Sequence, residues 1–206
     1  MPLARFHDFA HLTPSIWNRM GWLDQVPRAG ELYIGGLHAL YQKADLFKEK
    51  KITHIVSVID FDVYTTGTFK QYKSLFIDLV DDPNENLLEH FARTNAFIGD
   101  ALTGGGAVFV HCAMGKSRSA TIVCAYLMWK YNITPEKALA QLCEGRPVCG
   151  PNPGFMEQLD VFYEMLQAGD KPKADQIYRK WLEGRFIGTY TDWEKREQIR
   201  KAKAKL

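Results

Sequence analysis

Strands alternating with helices, followed by an all-helical stretch, predict an α/β fold: a central, mostly parallel twisted sheet flanked by helices, with a helical C-terminal extension. Three observations carry that expectation. Thr53-His-Ile-Val-Ser-Val-Ile59 is a nearly continuous β-branched run, the pattern of a strand covered on both faces. Ala107-Val-Phe-Val110 is a second short buried strand, and it runs directly into His111-Cys112. From Ser117 onward the apolar residues recur at helical spacing only.

The remaining elements follow in chain order. Residues 1–30 mix Trp17, Trp22, Pro14 and Pro27 without clear periodicity and read as an N-terminal extension packed on or near the body. Glu31-Leu-Tyr-Ile34 is a short strand ended by Gly35-Gly36, and a helix of about ten residues is expected from Leu37. Ser74–Leu79 is a further strand. Leu87, Leu88, Phe91, Ile98 and Leu102 sit at helical spacing until Gly104-Gly-Gly106 stops them. Ser117 to about Tyr131 forms a strongly apolar, central helix. Thr134-Pro-Glu136 supplies an N-cap, a first-turn proline and a dipole-favoured acid for the next. Phe155–Leu166 and Asp175–Leu182 are amphipathic. Thr191-x-x-Glu194 resembles a capping box, yet the helix it would open has almost no apolar stripe and reads as solvated or waiting for a partner. The chain therefore divides into an extension (1–30), a catalytic-size α/β unit (31–168) and a basic helical extension (169–206).

Composition narrows the class. With 206 residues and 46% apolar content, one domain with appendages can bury a core, which excludes collagen-like, low-complexity and disordered chains. The net charge of +2 conceals an asymmetry. Residues 171–206 carry eleven Lys/Arg against five Asp/Glu, a formal +6, while residues 1–170 carry −4. A basic extension can meet RNA or another acidic surface, or simply form a solvated helical face. Cys112, Cys124, Cys143 and Cys149 are too few and too scattered for a disulfide scaffold, and no C-x-x-C pair suggests zinc. No apolar run reaches membrane-spanning length, and no signal-peptide core begins the chain. A reduced cytoplasmic or nuclear location is expected.

The chemistry concentrates in His111-Cys-Ala-Met-Gly-Lys-Ser-Arg-Ser119, between a buried strand and a helix. A loop wrapping from strand end to helix start turns successive N–H groups inward and makes an anion-binding nest from Ala113, Met114, Gly115, Lys116, Ser117 and Arg118. Gly115 permits the backbone angles this requires. The positive end of the following helix favours the thiolate of Cys112. Arg118, six positions on, returns to the same cavity with a planar fork for two phosphoryl oxygens, a fit that lysine lacks. Cys124 reads as core, Cys143 and Cys149 as structural. His111 is expected to shape the loop rather than transfer protons, and Asn152 either to brace the loop or to cap a turn.

His-Cys-x5-Arg-Ser resembles the signature loop of the protein tyrosine phosphatase superfamily, and Arg118-Ser-Ala-Thr121 is similar to its dual-specificity branch. Arg146-Pro147 and Pro151-Asn-Pro-Gly-Phe-x-x-Gln-Leu159 resemble that branch's helix-to-helix connection. Val26-Pro-x-x-Gly-Glu-Leu-Tyr-Ile-Gly-Gly36 and Ile177-Tyr-Arg-Lys-Trp-Leu182 look like a fungal subgroup linked to ribosome maturation, whose members add a zinc-binding module. This chain departs from that pattern, because no zinc-ligand cluster follows residue 168: either the sequence is truncated or the module is missing. It further implies phosphoprotein hydrolysis through a phosphocysteine on Cys112, without metal or cofactor. Arg118 would hold the phosphoryl group, and Ser119 would donate to the departing thiolate. The general acid would be Asp81, with Asn86 and Phe91 at the family's offsets; Asp82 is the alternative. Lys116 would favour strongly anionic substrates, which leaves phosphoinositides and RNA 5′-phosphates open. The resemblance also leaves open a ribosome-assembly binding role with dispensable activity, in which the basic extension contacts a pre-ribosomal particle or RNA.

Overall fold

Strands β1 (Leu23–Gln25), β2 (Leu32–Gly36), β3 (Ile52–Val58), β4 (Lys73–Ile77) and β5 (Ala107–Cys112) form one sheet, in spatial order β1-β2-β5-β3-β4. The computed structural model describes residues 22–64, 67 and 69–203; Pro14, Trp17 and Lys205 lie outside them. Only β1 runs antiparallel to its neighbour, and every other pairing is parallel. The mostly parallel sheet is thus as expected. The edge strand β1 comes from the segment read with the N-terminal extension, where no periodicity marks it.

β5 sits in the middle and is buried along its whole length. Alternate side chains feed opposite cores, as a period of two requires. Ala107 and Phe109 join Leu40, Phe47 and Ile55 on one face, under helices α1 (Leu37–Gln42) and α2 (Ala44–Glu49). Val108 and Val110 join Leu32, Ile34 and Val56 on the other. That larger core is closed by α3 (Phe91–Thr103), α4 (Arg118–Tyr131), α5 (Pro135–Gly145) and α6 (Pro153–Gln167). α4 is buried from Arg118 through Met128, which accounts for its all-round apolar sequence. Thr134 caps α5 as the sequence predicts, accepting from the Lys137 N–H at 3.4 Å.

Three local expectations change. The helix from Leu37 is two short helices, because Lys43 (φ −127°, ψ 41°) leaves helical geometry and each half docks separately. The helix expected from Leu87 starts at Phe91, after one 3₁₀ turn over Leu88–His90. There the Leu87 and Leu88 N–H groups both donate to Gln158 Oε1 at 2.8 Å, which satisfies donors that a helix start leaves open. The final helix, α8 (Tyr190–Lys203), is capped by Thr189 with Asp192 rather than by Thr191 with Glu194.

Nor is α8 solvated. Trp193 is buried against Phe186, their rings 4.9 Å apart. Arg196 bonds Glu157 at 2.5 Å, and Arg200 bonds Asp160 at 2.9 Å, tying α8 to α6. α7 (Lys171–Gly184) packs on α6 as well, with Tyr178 and Trp181 against the larger core. Charge, more than an apolar stripe, fastens α8, and a hydropathy pattern does not register that.

Phe109 is fully buried, edge-on to Phe47 with ring centroids 4.9 Å apart. Phe109→Ala is expected to cost about 3–5 kcal/mol of unfolding free energy, the usual range for emptying an aromatic core site. Chemical denaturation with and without the substitution measures it.

Candidate active site

β5 delivers Cys112 to the carboxyl end of the central strand, where open α/β sheets place their ligands. The loop from Cys112 to Arg118 then enters α4 with Ser117 at its N-cap. Every carbonyl along this loop is held from outside. The Cys112 oxygen faces His111 Nδ1 at 3.4 Å, and the Ala113 oxygen accepts from the Leu37 N–H at 3.1 Å. The Met114 and Gly115 oxygens accept from Arg146, at 3.2 and 2.8 Å. The Lys116 oxygen accepts from Gly150 N–H, and the Ser117 oxygen from Thr121. In a trans peptide the following N–H points opposite to the carbonyl, and no described peptide is cis. The amides of Ala113, Met114, Gly115, Lys116, Ser117 and Arg118 therefore turn inward. The Gly115 N–H reaches Cys112 Sγ at 3.2 Å.

Gly115 has φ +66°, and a Cβ there would sit 2.3 Å from the Gly35 carbonyl, so only glycine fits. Arg118 is 6% exposed and extends beneath the same cradle. One terminal nitrogen donates to the Leu79 carbonyl at 2.9 Å and meets Asp60 at 3.2 Å. Its Nε is buried without a hydrogen-bond partner and stands 3.9 Å from Asp81 Oδ2. A buried guanidinium N–H lacking an acceptor is costly unless an anion completes it. Ser119 Oγ lies 3.3 Å from Cys112 Sγ.

Asp81 is brought to the cradle by two neighbours. Its Oδ1 accepts from Ser117 Oγ at 2.7 Å and from Asn152 Nδ2 at 2.9 Å. Ser117 Oγ in turn accepts from the Asn152 N–H at 3.0 Å. Asn152 both braces and caps, because its Oδ1 receives the Phe155 N–H at the start of α6. Asp82 points elsewhere: its Oδ1 closes a turn on the Asn84 N–H at 2.8 Å. At Gly154 a Cβ would stand 2.0 Å from the Pro83 carbonyl, so α6 and the Asp81 loop meet with no room for a side chain.

With this geometry in hand, comparison with known proteins is decisive. The profile "Dual specificity phosphatase, catalytic domain" matches residues 32–165. The chain belongs to the dual specificity phosphatase family. It is 34% identical to the tyrosine-protein phosphatase YVH1 of Saccharomyces cerevisiae, over 74% of this chain and 46% of that protein. It is 38% identical to dual specificity protein phosphatase 1 of Arabidopsis thaliana, over 72% of this chain and 74% of that one. Among solved structures, the Yvh1 phosphatase domain from Chaetomium thermophilum superposes with a TM-score of 0.65 at 39% identity, covering 72% of this phosphatase and 99% of that domain. The chain thus spans about half the length of its yeast relative.

Several residues of this member of the dual specificity phosphatase family escape any motif. Arg146 is a buried cation that fixes two loop carbonyls and pairs with Asp24 of β1 at 2.5 Å. Ser57 of β3 lies 2.7 Å from His111 Nε2 and 2.6 Å from Tyr64 OH. A carbonyl can only accept, so His111 carries its proton on Nδ1 towards Cys112 O. Nε2 then accepts from Ser57, which accepts from Tyr64. Nothing in the sequence marks the carboxylate of Asp60 or the hydroxyl of Ser57 as site residues; the crossing of β3 beside β5 puts them there. The other thiols stay out of the chemistry. Burial pushes Cys124, Cys143 and Cys149 up, which keeps them protonated and poorly nucleophilic.

Full burial, aided by the Arg118 charge and opposed by the Cys112 carbonyl, pushes His111 down to about 4. The imidazole is therefore neutral at physiological pH and acts as a strut. The unfolded chain binds a proton near the ordinary histidine value whereas the folded one does not. Stability is thus present above that value and lost as pH falls towards 4. The wild type should lose about 3 kcal/mol more than His111→Asn between pH 7 and 4. Urea titrations at stepped pH would reveal it, and parallel profiles would refute it.

Proposed function

We propose that this phosphatase hydrolyses phosphotyrosine and phosphoserine/threonine monoesters in proteins, with Cys112 as nucleophile, Arg118 as phosphoryl clamp and Asp81 as general acid. The observation that carries the reading is the fixation of six successive loop carbonyls by other groups, with the Gly115 N–H on the Cys112 sulfur, which turns the loop amides inward. Such a ring neutralises phosphoryl charge as it develops in the transition state. Arg118, with an unpartnered Nε and a second nitrogen already aimed by Leu79, adds a charge-assisted fork.

In the first step the Cys112 sulfur bonds to phosphorus, and the phosphorus–oxygen bond to the leaving group breaks. The leaving oxygen takes a proton from Asp81, a contribution of about 10²–10⁴-fold in rate. In the second step Asp81 takes a proton from water, whose oxygen attacks the phosphocysteine, and sulfur leaves with its electron pair. Support for Ser119 as donor to that departing thiolate is its 3.3 Å approach to Sγ. Support for Asp81 over Asp82 is its bonding to Ser117 and Asn152, while Asp82 is occupied by its own turn. The four cysteines are free, in keeping with a reducing cytoplasmic or nuclear setting.

A ribosome-assembly binding role draws its support from the basic extension. Arg196 and Arg200 pair with Glu157 and Asp160 of α6, so these two of the eleven basic residues support the docking of α8, and Lys201 pairs with Glu197 within α8 itself. Rates on phosphopeptides against soluble inositol phosphates separate protein from phosphoinositide substrates, and a Cys112→Ser allele in cells separates turnover from binding.

Cys112→Ser and Arg118→Lys should each remove nearly all turnover. Asp81→Ala should slow a poor leaving group by about 10²-fold or more while substrate binding persists. If Asp82→Ala shows that loss and Asp81→Ala does not, the acid assignment is wrong.

A further inference from the structure

Beyond residue 165, where the family match ends, the C-terminal helices close on one loop of the site. Asn84 lies three residues after Asp81 and is gripped from three directions. Its Oδ1 accepts from the Gly188 N–H at 3.0 Å and from Trp193 Nε1 at 2.9 Å. Its Nδ2 donates to the Gly188 carbonyl at 3.0 Å. The side-chain amide thus pairs with both backbone groups of Gly188, and the indole N–H takes the remaining acceptor site. Two residues further on, Asn86 Nδ2 donates to Tyr178 OH of α7 at 3.0 Å. The same loop is held from beneath by Gln158, which donates to Glu85 O and accepts from Leu87 and Leu88.

The grip itself is anchored. Trp193 is 4% exposed, its ring lies edge-on to Phe186, and the Arg196 guanidinium covers Phe186 at 5.2 Å while bonding Glu157 of α6. Glu157 stands on the same helix as Asn152 and Gly154, the residues that meet the other end of the Asp81 loop. A carboxylate on a loop must be held to fractions of an ångström if it is to reach a leaving oxygen, and loops without such support are mobile.

We propose that the C-terminal extension is a positioning clamp for the general acid: Gly188 and Trp193 hold Asn84, and through it they set the reach of Asp81. Asn84 and Trp193 are positioning residues and touch no substrate. This rests on the reading of Asp81 as the acid and adds that residues outside the matched domain tune the step it performs. The bland alternative is that Asn84 merely fastens the extension to the body. The two differ in what they change, because a loosened acid affects only reactions that need a proton.

The test compares kcat/KM on aryl phosphates with good and poor leaving groups, using the full chain and the variants Asn84→Ala and Trp193→Phe. Trp193→Phe keeps a buried aromatic ring against Phe186 while removing the indole N–H together with the fused five-membered ring. The clamp requires Asn84→Ala to lose about tenfold on the poor leaving group, a fraction of the whole general-acid contribution, and to stay within about twofold on the good one. Trp193→Phe should shift in the same direction by less. Added to Asp81→Asn, Asn84→Ala should cost nothing further, because the group it positions is already gone. Equal losses on both leaving groups, no loss at all, or full additivity with Asp81→Asn would each overturn the proposal. If Asp81→Asn itself shows no leaving-group dependence, the acid assignment fails first. If it does and Asn84→Ala does not, only the clamp falls.

Discussion

The site depends on keeping carbonyl oxygens away from its centre. Each peptide dipole in the loop after β5 could present either end to the cavity, and a single inverted carbonyl would repel a phosphoryl group. The chain prevents this by supplying a donor behind each oxygen. Arg146 does so for two adjacent residues and is itself neutralised by Asp24. A buried ion pair of this kind adds little net stability, because desolvation offsets attraction. Its worth here is directional, since a guanidinium fork fixes two oxygens in one plane. The edge strand β1, carrying Asp24, is therefore coupled to a catalytic loop from which it is separated by β2 in the sheet.

A second knot joins three loops through one hydroxyl. Ser117 occupies the N-cap position of α4 yet caps nothing with its side chain. Its oxygen instead donates to Asp81 and accepts from the Asn152 backbone, so cradle, Asp81 loop and α6 start are mutually positioned. The His111, Ser57 and Tyr64 chain does comparable work on the opposite face of the sheet. Neutral at physiological pH, it lends order without adding a charge beside the sulfur.

Local rules made much of this legible in sequence. The strand ending at Cys112, the glycine at 115 and the arginine at 118 lie within one short segment, where spacing alone determines geometry. The parallel sheet follows from apolar runs too continuous for a one-sided strand. What stayed hidden depends on contacts between distant segments. Asp24 with Arg146, Ser57 with His111 and Asp60 with Arg118 each join residues far apart in the chain, and no periodicity encodes such pairs. The last helix misled for a related reason. Its attachment relies on Arg196, Arg200 and one tryptophan, so a search for an apolar stripe finds nothing.

Gly154 shows how little material can separate a working loop from a displaced one. The first turn of α6 lies so close to Pro83 that the space between them equals a hydrogen atom, not a methyl group. Since Pro83 follows Asp81 by two positions, any bulk inserted there would wedge the carboxylate outward. The approach of the Asp81 carboxylate to the cradle is thus gauged, from the far side, by the smallest side chain available.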